Sequence, residues 1–169
     1  TLTDIANSSD PKLANHKVVA KLLLPLVGNL GSKVVVEKGD ILGKTASGMF
    51  HESSNTIYVS TSYSTNPAAT FIHELVHALS FTEIKKYYQT DSKGFYTILK
   101  SDAPAHVVAL NDVWKAYRDT ISEADMNAVE QKTLKMRAGE NTIWTEEELN
   151  MLYPAMDIAE FLSVVLESE

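Results

Sequence analysis

Residues 69–81 read ATFIHELVHALSF. The chain has five histidines, and this stretch sets two of them, His73 and His77, four positions apart with Glu74 between. Four positions make just over one helical turn, so both imidazoles share one face of a helix. Ile72, Leu75, Val76 and Leu79 recur at helical spacing and form an apolar stripe from which the histidines point away. Upstream, Asn66-Pro67 is a helix start. Asparagine is a good N-cap, and proline at the first helical position gives up an N–H that has no partner there. The spacing predicts a helix from Pro67 to between Phe81 and Tyr88.

Two imidazoles on one face can address one ion. Zinc takes neutral imidazole nitrogen, and a catalytic zinc keeps three protein ligands and one open position. Glu74 lies about 100° further round the helix. It would miss the ion but reach a water beside it, take that water's proton and pass it to a leaving amine. The ion supplies Lewis acidity. HELVH is thus an HExxH pattern, whose mechanical content is zinc-dependent hydrolysis. The same five residues also arise by chance, as ordinary positions on a helix.

Two histidines do not complete such a site. The residues after His77 read ALSFTE. No histidine stands at the spacing of the extended HExxHxxGxxH motif. The remaining histidines are His16, His51 and His106. Downstream carboxylates include Asp91, Asp102, Glu123, Glu130, Glu140, Glu146 to Glu148 and Glu160. Glu160 sits in YPAMDIAEFLSVVL (153–166), with Met156 and Val164 one turn to either side. Ile158, Phe161, Leu162 and Val165 form the main apolar stripe, and Glu160 is roughly opposite it. It is either a ligand or a glutamate on a solvated face, with His106 the competing third ligand. Tyr153 precedes Glu160 by nearly two helical turns, about 10 Å along the axis. Its phenol can fold back toward a developing oxyanion, or it is a packing or capping residue.

Composition narrows the alternatives. The chain has 169 residues, 44% of them hydrophobic, and a formal charge of −7. That length suits one domain, residues 1–169, with its own core. The acidic balance argues against nucleic acid or an anionic membrane as partner. There is no cysteine, which excludes disulfides, thiolate ligands and a cysteine nucleophile. VVAKLLLPLVG (18–28) is broken by Lys21 and Pro25 and is too short to span a bilayer.

Elsewhere, residues 11–30 read as a helix kinked by Pro25 and stopped by Gly28 and Gly31. SKVVVEKGD (32–40) reads as a strand ending at Gly39-Asp40, and TIYVSTS (56–62) as a second strand with alternating faces. Residues 41–55 read as loop, and 89–101 as loop with a short strand within FYTIL. Asp102 and Pro104 open a further helix. Ser122 to Asp125 and Thr145 to Glu148 resemble capping boxes that start two more, the first ending near Gly139, and Pro154 opens the last, through about Leu166. The expected class is α+β: a small N-terminal sheet, the HELVH helix and a mostly helical remainder.

Taken together, three segments resemble the gluzincin metalloproteases, and within them the anthrax lethal factor family, which includes secreted Pro-Pro endopeptidases. They are ASGMFHESSNTIYVST (46–61), TFIHELVHAL (70–79) and Tyr153-x6-Glu160 followed by Phe161. Glu160 lies 83 positions after His77, further than in that family, so the intervening helices would be an insertion. The resemblance implies a zincin-like fold and a zinc endopeptidase. His73, His77 and Glu160 would bind zinc, Glu74 would act as base and Tyr153 would assist the transition state. It also implies a protein or peptide substrate pairing with an edge strand, TIYVSTS being the candidate. A secreted bacterial protease or toxin catalytic domain, acting as a monomer, is the expected setting. The alternative is a non-catalytic binding module that keeps the same fold.

Overall fold

The computed structural model describes residues 1–27, 33–37, 47–62, 64, 66–140, 142–145 and 147–167. They are α+β and fall into two compact units: residues 1–79 with the chain end from Val165, and residues 80–164. The expected stops at Gly28, Gly31 and Gly39-Asp40 lie outside the described residues, as do Gly43 and Glu146.

The first unit opens with helix α1 (Leu2–Ala6) and a 3-10 turn at Pro11–Leu13 that leads into α2 (Ala14–Val27). Pro25 sits in the last turn of α2 and gives up its own helical hydrogen bond there, two residues before the helix ends. Strands β1 (Lys33–Glu37), β2 (Gly48–His51) and β3 (Thr56–Ser60) form one sheet in the order β1-β3-β2. β1 runs parallel to β3, and β2 antiparallel.

Two sequence expectations change here. Residues 48–51, read as loop, are strand β2. The turn residues Glu52 to Asn55 connect β2 to β3, with Asn55 in the left-handed conformation at φ 46°, one that asparagine tolerates. And β3 is not a half-exposed alternating strand. It is central, with Thr56, Ile57, Val59 and Ser60 all buried. A strand paired on both sides has no free backbone edge for a peptide, so TIYVSTS cannot receive one. The outer strands of the described sheet are β1 and β2.

Helix α3 (Pro67–Tyr87) carries the HELVH stretch. Asn66 caps it, its side-chain oxygen accepting from Ala69 N–H at 3.2 Å. Ile72, Leu75 and Val76 are buried, as the stripe requires, and Ala78 joins them.

In the second unit, β4 (Tyr88–Thr90) and β5 (Tyr96–Leu99) make a hairpin. Asp91 holds its turn by accepting from Lys93 and Phe95 N–H at 2.9 and 3.0 Å. Helices α4 (Ala105–Arg118) and α5 (Glu123–Arg137) follow. Ser122 caps α5, accepting from Asp125 N–H at 3.1 Å. Beyond the helix, Gly139 takes a positive φ of 81°, as a residue without Cβ can. One core joins Ile84, Tyr88, Trp114, Ile158, Ala159 and Phe161; another joins Phe95, Val129 and Met156.

The end of this unit departs from the expected pair of helices. The Thr145–Glu148 box forms: Thr145 N–H donates to Glu148 Oε2 at 2.7 Å, and Glu148 N–H to Thr145 Oγ1 at 3.1 Å. It leads only into a π-helical turn, Glu148–Leu152, and a 3-10 turn, Tyr153–Ala155. Pro154 lacks an N–H and crowds the preceding turn, so no regular helix runs through it. The last helix, α6 (Ile158–Glu167), starts four residues later than Pro154 suggests. Asp157 caps it, its Oδ1 accepting from Ala159 N–H at 2.8 Å.

Candidate metal centre

α3 sets the two histidines. Their Nε2 atoms lie 3.1 Å apart, with ring centroids 4.8 Å apart and planes at 76°. Two nitrogens bonded to one zinc at about 2.0–2.1 Å and a tetrahedral angle would be about 3.3–3.4 Å apart. The observed separation is within a few tenths of an ångström of that. The same distance suits an N–H···N hydrogen bond between neutral rings, so the pair is built for either a shared proton or a shared ion. Both rings are half-buried.

His73, His77 and Glu160 each offer one ligand atom, and these atoms all lie within 4.8 Å of one another. The group could hold a metal ion. Its donor set, two imidazoles and a carboxylate, is one that zinc accepts, and imidazole with carboxylate also suits other first-row ions. His106 is exposed on α4 and outside this group. Several other carboxylates are taken up by structural contacts: Asp91 in the hairpin turn, Glu130 with Lys93, and Glu148 with Lys132 and Thr145.

Glu74 is buried, at 8% exposure. Gly48 of β2 faces it. A Cβ built at Gly48 would collide with Thr70 Cγ2 and come within 2.9 Å of Glu74 Oε1 and 3.0 Å of Glu74 Cγ. Any side chain larger than hydrogen at position 48 would displace the glutamate or the strand. From sequence Gly48 reads as a loop glycine; it is instead the first residue of β2. Its role depends on β2 being a strand against α3, which no local pattern announced.

Glu160 lies in the first turn of α6, half-buried. The Tyr153 hydroxyl donates to its Oε1 at 3.0 Å. Burial first, then the charge of Glu160, holds the phenol well above its ordinary pKa, so Tyr153 keeps its proton and remains a donor. Its ring meets Trp144 edge-on, with centroids 5.4 Å apart at 70°. Trp144 in turn lies under Lys132, whose Nζ is 5.2 Å from the ring centroid and also pairs with Glu148. From α4, Trp114 Nε1–H donates to the Pro154 carbonyl at 3.2 Å.

Asp157 is a further residue that sequence reasoning missed. It is buried, and its Oδ2 accepts from Tyr96 N–H of β5 at 2.9 Å. Its carboxyl is pushed up to about 6, by burial first and then by the charge of Glu160, against the lowering effect of its two backbone donors. It ties the start of α6 to the β4–β5 hairpin. The motif Asp-Ile-Ala just before Glu160 was a signal for a helix cap, obscured by the more conspicuous Pro154.

No described helix is long and apolar enough to cross a membrane. Comparison with family models, with curated proteins and with solved structures finds no match to this chain.

Proposed function

We propose that the chain is a zinc-dependent endopeptidase of zincin-like fold, acting on a protein or peptide substrate. The observation that carries this reading is the convergence of His73, His77 and Glu160 ligand atoms, with a carboxylate, Glu74, directly after the first histidine. Bound there, zinc would polarise the scissile carbonyl and make water more acidic. His73 and His77 would hold the ion by the ring nitrogens that α3 already sets side by side, and Glu160 by its carboxylate. Glu74 takes the proton of the attacking water and delivers it to the leaving amine. An extended substrate would add to the outer edge of β2, Gly48 to His51, rather than to the central strand.

The test is cleavage of a broad peptide library by the zinc-loaded chain, read by mass spectrometry. Cleavage is expected, and is expected to vanish in Glu74→Gln with zinc still bound. A native chain that binds zinc yet is as inert as Glu74→Gln would favour a binding module instead.

A further inference from the structure

A phenol has one proton to give. In Tyr153 that proton is directed at Glu160 Oε1, 3.0 Å away. The ring has been built into place for it. Trp144 packs edge-on against it, Trp114 holds the next peptide carbonyl, and Met156 N–H closes the turn onto the Tyr153 carbonyl at 3.1 Å. The acceptor is fixed too, because Asp157 caps α6 one turn before Glu160. A hydrogen bond to an ionised carboxylate is roughly twice as strong as one between neutral groups. The phenol uses one of the carboxylate's about four acceptor positions.

We propose that Tyr153 is a positioning residue for Glu160: it orients the ligand carboxylate and holds it ready for the ion. This rests on the metal-centre reading above. The arrangement is the outer-shell pattern in which a second residue fixes a metal ligand's orientation and tunes its affinity. The π-helical and 3-10 turns between Glu148 and Ala155 then have a purpose. They bring the phenol back toward a side chain seven positions ahead, which a straight helix would leave about 10 Å away along its axis.

The experiment is zinc affinity of the whole chain by chelator competition, for the native protein, Tyr153→Phe, Glu160→Ala and the double variant. Tyr153→Phe keeps the ring, and circular dichroism and thermal melting in excess chelator check that it folds. The expected result is one zinc per native chain, with affinity lowered about 10- to 100-fold in Tyr153→Phe. In the Glu160→Ala background, where only the weak residual binding by the two histidines is left and a weak chelator reads it, Tyr153→Phe is expected to change affinity no further, because its target is gone. Native affinity in Tyr153→Phe with a reduced turnover number would overturn the assignment in favour of an oxyanion donor. An equal loss with and without Glu160 would overturn it in favour of general packing. A native chain that binds no zinc would overturn the metal-centre reading itself, and this assignment with it.

Discussion

His73 and His77 owe their separation to one turn of one helix; Tyr153 and Glu160 owe theirs to a break in one. In the HELVH region, the helix period alone puts two ring nitrogens 3.1 Å apart. The supporting stripe of Ile72, Leu75 and Val76 lies on the same 13 residues that carry the chemistry. In the 142–160 region helix period alone does not settle the pairing. The Tyr153 hydroxyl meets Glu160 because Pro154 interrupts the helix, Trp114 holds the Pro154 carbonyl and Trp144 backs the ring. The first region is a local device. The second is held by contacts from Trp114 and Tyr96, 40 and 61 positions away from their partners Pro154 and Asp157. The first pairing is readable from spacing; in the second, Glu160 and Tyr153 could be named as candidates from sequence, but their contact is visible only in the fold.

The largest expected effect separates chemistry from geometry in the first region. Glu74→Gln keeps shape and removes the proposed base. Peptide hydrolysis should fall about 10²- to 10⁴-fold, with zinc content unchanged by elemental analysis. Activity near the native level would remove Glu74 from the mechanism.

Next comes the scaffold of the second region. Burial, and then the charge of Glu160, push the Asp157 carboxyl up to about 6 in the folded chain, against about 3.9 for an unperturbed aspartate. A raised pKa means the folded chain binds this proton more tightly than the unfolded one. The stabilisation is therefore complete below about pH 4 and is lost as pH rises through about 6. A shift of about two units corresponds to about 3 kcal/mol. Asp157→Asn cannot ionise, so the native protein should lose about that much stability relative to the variant between pH 4 and pH 7. Denaturant melts in excess chelator measure this in the metal-free state. A pH-independent difference between the two proteins would mean that Asp157 ionises normally.

A smaller effect tests whether the first region is as local as it looks. Gly48→Ala brings a methyl group against Thr70 and Glu74. A displacement of about 1 Å at a catalytic group can cost up to about a hundredfold in rate. Reduced turnover with full zinc content is the expected outcome. An unaffected rate would mean that Glu74 is placed by α3 alone.

The same contrast explains what could be read in advance. The helix start at Asn66-Pro67, the buried stripe and the two histidines were legible, because capping and periodicity are local. The α+β class was legible from valine-rich and helical segments. Strand β2 was not: GMFH has little strand signal of its own, and it is a strand because β3 pairs with it. The centrality of β3 was not legible either, since a strand with two neighbours and one with a single neighbour can share a sequence. Around Glu160, the sequence offered Pro154 as a helix start. Asp157 won instead, because it caps α6 and meets the Tyr96 N–H at once.

We propose one ion bound by His73, His77 and Glu160. The most direct test is zinc content of the purified chain, native and as His77→Ala and Glu160→Ala, after equilibration with zinc and removal of excess. About one zinc per chain in the native protein, lost in both variants, is the result expected for a His73, His77 and Glu160 centre. Zinc kept by Glu160→Ala but lost by His77→Ala would place the third ligand elsewhere, with His106 the next to replace. No zinc in the native chain would contradict the account and leave HELVH an ordinary stretch of helix.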